Sequence, residues 1–425
     1  MSKMIKGHSF KSNLTEWLSY LESIHSVEID LGLARINTVA KKLNIDFTHS
    51  TVITVAGTNG KGTTCAFLEN AFLAQSLTCS VYSSPHIERF NERLRINRCE
   101  VDDNALVSAF ETIESARGDI TLTYYEYTTL AALLVLMAEQ PDVIILEVGL
   151  GGRLDATNII DADIAVITTI DLDHQAFLGD TREAIGFEKA GIMRSNMPVV
   201  IGDVTPPKSL AVHADNIAAK AFFREQSFTT KLADDNASWS WSSDKNNFSA
   251  LSTCHIPQDN VVTAIMVLEL LADKLSLLLT SQFLNQIIAE TKVAGRMERF
   301  TLDGDIILDV GHNPQAARYL AKKLRELNYP KVHAVLGMLV DKDISNTVSA
   351  LLAEVDHWYL GTLDVARGCK AENIAKQMLI NPSKMNCFDN VSQAFKMAKH
   401  NAKATDLVLV FGSFYTVAEI RRLLV

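Results

Sequence analysis

Residues 51–64 combine a glycine-rich turn with a single lysine, a pattern that can bind phosphate. An apolar, β-branched run stops at Gly57, and an apolar helical pattern begins after Thr63. A strand, a glycine turn and a helix in this order bring backbone N–H groups and a helix N-terminus to one point, where they can hold phosphate. Lys61 would add positive charge at the outer phosphates, and a threonine hydroxyl could face a magnesium ion. A tight connection that needs positive φ is the structural alternative, but the pattern favours nucleotide binding.

Polar side chains also follow three further apolar runs, each at the end of a predicted strand. Ser83-Ser84-Pro85-His86 follows a short strand, Glu147 closes the run that begins at Val143, and Asp171–His174 follow the run Ile164–Ile170. The carboxyl ends of parallel strands meet at one edge of a sheet, and strand-end carboxylates hold magnesium in P-loop enzymes. A turn for the serines and an ordinary polar role for the histidine are the alternatives. Three such strand ends in succession favour a metal site.

The composition is typical of a folded protein from a reducing compartment. The chain has 425 residues, 48% of them hydrophobic, so two domains are expected. The net charge of -10 argues against nucleic acid and anionic membranes as partners. The six cysteines are scattered without a C-x-x-C pair, as in proteins whose thiols stay reduced. No signal-peptide pattern opens the sequence, and charges interrupt the apolar stretch 261–280. We therefore expect a cytoplasmic protein without a membrane span.

The order of the predicted elements indicates an α/β protein with a domain boundary near residue 298. Two helical patterns, at 12–25 and 33–43, precede the glycine turn, and strands alternate with helices after it. We expect residues 226–255 to form an antiparallel lobe and the charge-rich residues 91–98 to form a solvated flap. Beyond residue 298, strands and helices alternate in a Rossmann-like order, without a G-x-G-x-x-G loop.

In type and order, these motifs resemble those of the bacterial bifunctional dihydrofolate synthases/folylpolyglutamate synthases of the Mur-ligase superfamily. The glycine after Lys61, where the general P-loop has Ser or Thr, is the form found in that family. The resemblance runs from Trp17 to Val417, and the motifs that carry it are Gly57–Thr64, Ser83–His86, Glu147 with Gly149–Asp155, Asp173-His174, Glu188–Gly191, Gly295-Arg296 and Asp309–Pro314. It implies a P-loop-containing, mostly parallel sheet domain of the Mur-ligase central-domain type over residues 1–297. A smaller Rossmann-like α/β domain of the glutamate-ligase C-terminal type would follow over residues 298–425.

The resemblance implies an ATP-dependent ligase that joins L-glutamate to an acid through an acyl phosphate. The acceptors would be dihydropteroate, which gives dihydrofolate, and the glutamate tail of reduced folates. The residues implied to be catalytic are Lys61, Lys189, His174 and His312, with Lys189 carried as a carbamate. The residues implied to bind ATP are Gly57, Thr58, Asn59, Gly60, Lys61, Gly62, Thr63, Asn260, Arg296 and Asp309.

Metal and acceptor sites follow from the same resemblance. Ser84 and Glu147 would bind one magnesium ion and His174 a second, and a potassium ion is a further candidate. The residues implied to bind the pterin acceptor are Asp30, Leu31, Gly32, Leu33, Thr123, Tyr124, Tyr125, Glu126, Leu154, Asp155 and Ala156. The active site would lie in the cleft between the domains, which would close during catalysis. We expect a monomer, and the resemblance assigns no residue to the incoming glutamate.

Two other functions remain open at this stage. A Mur ligase acting on a UDP-linked cell-wall precursor usually has an additional N-terminal domain, and only about fifty residues precede the glycine turn here, fewer than a domain typically has. A non-catalytic nucleotide-binding module would not need metal ligands at three strand ends. A GTPase would carry an N-K-x-D motif, and the chain contains no Asn-Lys pair.

Overall fold

The computed structural model of the chain describes residues 11–27, 29–233, 238–378 and 380–425. The first unit of the fold is built on an eight-stranded sheet. Its strands are β1 (Thr51–Ala56), β2 (Cys79–Tyr82), β3 (Leu94–Ile96), β4 (Cys99–Glu100), β5 (Val143–Glu147), β6 (Ile164–Ile167), β7 (Pro198–Ile201) and β8 (Lys220–Phe223). Their spatial order is β4-β3-β2-β5-β1-β6-β7-β8, and neighbours are parallel except in the pairs β2–β3 and β3–β4. The predicted mostly parallel sheet is confirmed.

The three central strands end at the same edge of this sheet. All residues of β1, β5 and β6 are buried, as expected for β-branched and aliphatic runs covered on both faces. In the ladder, Val55 pairs with Glu147, and Ala56 pairs with Ile167. The polar residues at the ends of the three strands therefore lie side by side along one edge of the sheet. The strand predicted over 164–170 already ends at Ile167.

Helices cover both faces of the first sheet. They are α1 (Leu14–Leu21), α2 (Ala34–Leu43), α3 (Lys61–Ala74), α4 (Asp103–Arg117), α5 (Tyr124–Glu139), α6 (Gln175–Leu178), α7 (Arg182–Ala190), α8 (Lys208–Asn216), α9 (Gln258–Leu275) and α10 (Ser281–Glu290). Helices α3, α9 and α10 share one hydrophobic core with one face of the sheet, and α1, α2, α4 and α5 share another with the opposite face. Helices α7 and α8 complete that second face. None of the described helices is both long and apolar enough to span a membrane.

The expected antiparallel lobe is confirmed as a three-stranded sheet. Its strands are β9 (Phe228–Leu232), β10 (Trp239–Ser243) and β11 (Asn247–Leu251), and residues 234–237 of the predicted lobe lie outside the described residues. Trp239 and Trp241 are buried, and the Trp241 indole donates to the carbonyl of Val262 in α9 (3.1 Å). Trp241 thus fixes the lobe to α9, the helix that packs against α3.

The prediction of a solvated flap over residues 91–98 is wrong. Residues 94–96 form β3, which pairs with β2 and extends the main sheet. The Arg95 guanidinium donates to the buried carboxylate of Glu69 in α3 (2.9 Å), and Arg98 donates to Asn70 (2.8 Å). Charged residues in a sequence usually predict a solvent-exposed segment, but these two arginines form hydrogen bonds with side chains on a neighbouring helix.

The second unit has its own six-stranded sheet. Its strands are β12 (Glu298–Thr301), β13 (Asp305–Asp309), β14 (Val332–Leu336), β15 (His357–Gly361), β16 (Met385–Phe388) and β17 (Leu407–Phe411). The spatial order is β12-β13-β17-β14-β15-β16, and only β12 runs antiparallel to its neighbour. The helices are α11 (Pro314–Leu327), α12 (Ile344–Ser349), α13 (Ala371–Gln377), α14 (Val391–Asn401) and α15 (Phe414–Leu424).

Three elements of the second unit are missing from the sequence-based prediction, namely β12, β16 and α14. The helix predicted over 371–380 ends at Gln377, and residue 379 lies outside the described residues. At the first strand end of this unit, Asn313 caps α11 and Pro314 occupies its first turn, as the sequence indicates. Asn313 is thereby fixed at the edge that faces the first unit.

Candidate functional site

One cavity lies where the strand ends of the first unit meet the second unit; we call it the strand-end cavity. It contains every residue for which the sequence predicts a catalytic, nucleotide or metal role. From the first unit these are the turn at 57–63, Ser84, Glu147, His174, Lys189, Asn260 and Arg296, and from the second unit Asp309 and His312. Lys61, Glu147 and His174 are thus close enough to border one ligand. Residues from Gly57 to Phe414 meet here because both sheets present strand ends to the same cleft.

The glycine turn passes close to other backbone and side-chain atoms. Gly60 has φ +91°, and a Cβ placed there would lie 2.4 Å from Oδ1 of Asn260. A side chain at this position would therefore be strained and would also clash. The Asn260 amide donates to the Thr63 hydroxyl (2.7 Å), which itself donates to the Gly60 carbonyl (3.0 Å). Because the Thr63 hydroxyl already forms hydrogen bonds within the protein, an anion at the glycine turn would be bound by the backbone N–H groups at the start of α3.

Lys61 is the cation of this turn. Its ammonium group donates to the carbonyls of Gly57 (3.0 Å) and Thr58 (3.3 Å). These are neutral partners, so the positive charge is not neutralised by a hydrogen-bonded carboxylate. The arrangement suits a phosphate group above the turn.

Glu147 lies against the first turn of α3 at the end of β5. Only 6% of the residue is exposed, and a Cβ on Gly62 would lie 3.7 Å from its carboxylate. Burial raises the pKa of Glu147, while the charges of Lys61 and Arg296 act in the opposite direction, and the Ser84 backbone N–H also favours the ionised form. A buried carboxylate with a serine backbone beside it can serve as a ligand for a hard cation.

Lys189 is buried on α7 with a weakened charge. Burial lowers its pKa to about 7, and the nearby positive charge of Lys61 contributes to the shift. Its amine donates to the Gly57 carbonyl (3.0 Å), the same carbonyl that Lys61 contacts. A substantial fraction of the amine is therefore neutral near pH 7, and the neutral amine is the form that can react with an electrophile.

His174 follows β6 and begins the short helix α6. Burial lowers its pKa to about 4, so the imidazole is neutral at physiological pH. A neutral imidazole keeps a lone pair for a metal ion. Its neighbour Asp173 points to the second unit, where its carboxylate accepts from Lys342 (2.7 Å) and lies 3.5 Å from Nε2 of His312. The hydrogen bond from His312 and the charge of Lys342 hold the pKa of Asp173 well below its usual range, against the effect of burial.

His312 is held between two acceptors. Nδ1 lies 2.9 Å from the Val310 carbonyl, and Nε2 faces the carboxylate of Asp173. Both ring nitrogens of His312 therefore lie near acceptor oxygens, which fixes the orientation of the ring between the two units. Lys342 has no motif around it, so its place beside the cavity could not be predicted from the sequence.

Direct hydrogen bonds join the glycine turn to the second unit. Asn59 donates to Gln315 (2.5 Å) and exchanges hydrogen bonds with Asn313 (3.1 Å). Asp309 is buried, and its carboxylate accepts from the backbone of Met297 (2.9 Å) and Gly311 (2.8 Å). Burial raises its pKa, and the opposing charge comes mainly from Arg296. Asp309 therefore orients the loop that carries His312 as well as lining the cavity.

The segments predicted to bind the pterin form a second group, the acceptor segments (residues 30–33, 123–126 and 154–156). None of them lines the strand-end cavity as the described residues define it. The first two of these segments are neighbours, since Arg35 donates to both Asp30 (2.5 Å) and Glu126 (3.2 Å). The structure therefore gathers the predicted residues at two places rather than one.

Several polar atoms of the acceptor segments are already used within the protein. Thr123 and Glu126 form a capping box at the start of α5: the Thr123 hydroxyl accepts from the Glu126 backbone (3.1 Å), and the Glu126 carboxylate from the Thr123 backbone (2.8 Å). The buried Asp155 carboxylate accepts from the backbones of Leu150 and Thr157 (both 2.9 Å). Asp30 does not cap α2, whose N-cap is Leu33.

The two tyrosines of the acceptor segments differ in surroundings. Tyr125 packs so closely on Gly149 that a Cβ there would lie 2.8 Å from its hydroxyl oxygen, and burial raises its pKa. Burial raises the pKa of Tyr124 to about 12, and the guanidinium of Arg93 lies over its ring, 5.6 Å from the centroid. Arg93, read in the sequence as part of a solvated flap, is thus a neighbour of the predicted pterin site.

Comparisons with known proteins agree with this architecture. Two family models match the chain, the Mur ligase middle domain over residues 55–249 and the Mur ligase, glutamate ligase domain over residues 295–414. The dihydrofolate synthase/folylpolyglutamate synthase of Escherichia coli K12 is 44% identical over 410 residues, which cover 96% of this chain and 95% of the relative.

Two solved structures of folate enzymes are similar to this chain over nearly its full length. A structure of E. coli FolC in complex with DHPP and ADP has a TM-score of 0.91 and 43% identity, covering 97% of each chain. A bifunctional folylpolyglutamate synthase/dihydrofolate synthase with Mn, AMPPNP and L-glutamate bound has a TM-score of 0.89 and 41% identity, covering 97% of this chain and 98% of that one.

A parallel sheet with a phosphate-binding turn, strand-end ligands and a Rossmann-like partner unit defines an ATP-dependent ligase of the Mur type. Identity above 40% over nearly the full length then specifies the branch. The chain belongs to the dihydrofolate synthase/folylpolyglutamate synthase family. The relatives reported above are folate enzymes, so the rival functions considered from the sequence gain no support.

Proposed function

We propose that this chain joins L-glutamate to dihydropteroate, forming dihydrofolate, and to the glutamate tail of reduced folates, using ATP. The observation that carries the proposal is the strand-end cavity, where Lys61, Glu147 and His174 border one space. The names and ligands of the relatives support the substrates: DHPP and ADP in one solved structure, AMPPNP and L-glutamate in another.

In this proposal the cavity binds the triphosphate of ATP. The turn at 57–63 and the N-terminus of α3 hold phosphate oxygens, and Lys61 neutralises their charge. Asn260, Arg296 and Asp309 approach the remainder of the nucleotide, the last of them from the second unit. An oxygen of the acceptor carboxylate attacks the γ-phosphorus, ADP leaves, and an acyl phosphate results. The amine of glutamate then attacks the acyl carbon, and phosphate leaves as the amide forms.

The donor set of the cavity fits magnesium. Glu147 supplies a buried carboxylate, His174 a neutral imidazole and Ser84 a hydroxyl. Among the described residues, no cluster of three His, Cys, Asp or Glu side chains could hold a metal alone. Magnesium commonly uses one or two protein ligands and completes its shell with water and substrate phosphates. When bound, it supplies positive charge at the phosphate oxygens, and Ser84 with Glu147 would hold one ion and His174 a second.

Lys189 and His312 complete the proposed machinery. The pKa of about 7 leaves much of the Lys189 amine neutral, which is the form that reacts with carbon dioxide to give a carbamate. The carbamate would replace a cation by an anion beside the metal. Lys342, with His312 nearby, would place positive charge at the side from which the second unit closes.

Further parts of the proposal rest on the sequence and the family. We assign the acceptor segments to the pterin, with shape and backbone atoms as their main contribution. We place the domain boundary at residue 297/298, next to the start of β12. We also propose a cytoplasmic monomer, and potassium as an additional ion.

A ligation assay with separate acceptors tests the proposed function. We expect phosphate release from ATP only with L-glutamate and either dihydropteroate or tetrahydrofolate, and none with a UDP-muramoyl peptide. Phosphate release with the UDP-linked acceptor alone would contradict the proposal, and so would release that needs no acceptor.

A further inference from the structure

A second cavity lies beside the strand-end cavity, between α11 of the second unit and the loops that follow β6 and β7. Thr169, Asp259 and Gln315 line both cavities and therefore form the wall between them. Arg318 lies on α11 one turn after Gln315 and lines the second cavity. The second cavity is thus part of the contact between the two units, next to the space proposed for ATP.

The charges around the second cavity are balanced. Three arginines and three aspartates line it, and they form the ion pairs Arg182–Asp203 (3.0 Å), Arg224–Asp259 (2.7 Å) and Arg318–Asp171 (2.6 Å). Because these charges cancel, the cavity has no net attraction for an anion. The first two pairs lie within the first unit, whereas the third joins α11 to the loop after β6. The pair Arg318–Asp171 therefore connects the two units.

Asp171 is bound to the glycine turn through its backbone. Its N–H donates to the Thr58 hydroxyl (3.1 Å), which itself donates to the Asp171 carbonyl (3.0 Å). The Thr58 backbone N–H also donates to the Thr169 carbonyl (2.7 Å). Three residues after Asp171 comes His174, the predicted metal ligand. The side chain of Asp171 thus holds the second unit, while its backbone holds the turn that is proposed to bind phosphate.

Helix α11 contacts the same loop at two further points. The side-chain oxygen of Gln315 accepts from the Thr169 hydroxyl (3.3 Å), and the Asn313 amide donates to the Asp173 carboxylate (3.3 Å). These contacts are polar, and the side chain of Arg318 is 59% exposed. Polar contacts that water can reach cost little to separate, because water replaces the lost hydrogen bonds.

The two units meet differently where the chain crosses between them. Ile87 of the first unit packs against an apolar core of the second. Gly295 has φ +64°, and a Cβ placed there would lie 3.0 Å from Cγ1 of Val310 and 3.1 Å from Cδ1 of Ile87. Apolar burial and the covalent connection hold this side together. A movement of the second unit would therefore separate the α11 side first.

We propose that Arg318 is a positioning residue for the phosphate-binding turn, because through Asp171 it holds α11 against the loop after β6. This inference rests on the proposed function only in that the strand-end cavity binds the nucleotide. Without the ion pair, α11 is docked in fewer molecules before nucleotide binds, and the apparent affinity falls in proportion. Bound nucleotide borders both units and restores the docking, so the rate at saturating ATP should not change.

Arg318→Gln tests this assignment in the full chain. We expect the Kd of MgADP and the KM for ATP each to rise about 2- to 5-fold, as for loss of an exposed ion pair, at unchanged kcat. Asp171→Asn should cause the same rise, and the double variant no further rise, because both substitutions break one pair. Arg318→Lys, which keeps the charge, should restore most of the affinity.

Salt dependence separates the charge from a general structural role of the side chain. Raising sodium chloride from about 0.1 M to about 1 M shortens the Debye length from about 10 Å to about 3 Å. The Kd values of wild type and Arg318→Gln should therefore converge at high salt. A difference that stays the same at high salt would overturn the inference.

Arg325→Gln is the matched control. Arg325 lies on the same helix, its side chain is also 59% exposed, and it pairs with Glu354 (2.8 Å) inside the second unit. It should leave the Kd of MgADP and the KM for ATP unchanged. An unchanged Kd in Arg318→Gln would overturn the inference, as would an equal rise in Arg325→Gln or a lower kcat at unchanged KM. Because MgADP binding needs no acceptor, a chain that shows the expected Kd values but ligates no folate would contradict the proposed function alone.

Discussion

Lys61 and Glu147 in the strand-end cavity differ from the carboxylates of the acceptor segments in the partners that they have. In the cavity, Lys61 donates only to neutral carbonyls, and buried Glu147 has no side-chain cation hydrogen-bonded to it among the described residues. In the acceptor segments, the carboxylates of Glu126 and Asp155 accept hydrogen bonds from backbone N–H groups at the start of local helices. The first region presents charge to a ligand, and the second uses charge to fix its own backbone.

This difference shows what each region contributes to binding. Charged ligand groups need charged partners, and a buried charge without a protein partner is costly unless a ligand or metal supplies one. A flat heterocycle can instead be held by backbone atoms and ring faces. Substitutions should therefore affect activity most strongly in the cavity and stability most strongly in the acceptor segments.

Lys61→Ala should give the largest loss. Without the ammonium group, the glycine turn still forms but the outer phosphates lose their cation. We expect ATP-dependent ligation to fall below about one hundredth of the wild-type rate, the effect typical of losing a transition-state charge partner. The far-UV circular dichroism and melting temperature should remain near wild type. Lys322→Ala, at an exposed position on α11, is the control, and near-normal turnover in Lys61→Ala would remove the turn from the mechanism.

Glu147→Gln should have a smaller effect that depends on metal concentration. The substitution keeps the shape of the side chain but removes its negative charge. We expect the magnesium concentration for half-maximal activity to rise about 10- to 100-fold, with part of the rate recovered at high magnesium. Glu139→Gln, at the exposed end of α5, should leave the magnesium titration unchanged. An unchanged titration in Glu147→Gln would contradict its role as a ligand.

The same contrast explains which parts of the site could be predicted from the sequence. The glycine turn and Glu147 are recognisable because local order fixes them: a strand, then a functional residue at its end. Lys342 and Arg93 have no such pattern, since each is brought to the site by tertiary packing alone. Thr123 and Glu126 also carry the T-x-x-E pattern of a capping box, and their assignment to the pterin remains a prediction from the family resemblance.

The secondary-structure elements also divide into those that the sequence predicts and those that it does not. Fully buried strands such as β5 and β17 are continuous apolar runs and were predicted. The half-exposed edge strand β16 has no such run and was missed, together with α14 after it. The charge of Arg95 suggested that β3 is a surface segment. Its buried partner, Glu69, lies 26 residues away in the chain, so the sequence around β3 does not show that the charge is paired. Sequence patterns report local burial, and these cases depend on distant partners.

Thr123→Ala should give the smallest effect on activity, and it tests the acceptor segments directly. Removing the cap should lower the free energy of unfolding by about 1 kcal/mol, because the Glu126 backbone N–H loses its acceptor. Thr280→Ala removes an equivalent cap from α10, where the hydroxyl accepts from the Phe283 backbone (3.1 Å), and should cost about as much. If Thr123 only caps its helix, the two variants will have the same KM for dihydropteroate. A KM that rises in Thr123→Ala alone, at equal loss of stability, would show that this hydroxyl contacts the acceptor and that the two regions differ less than their hydrogen bonds indicate.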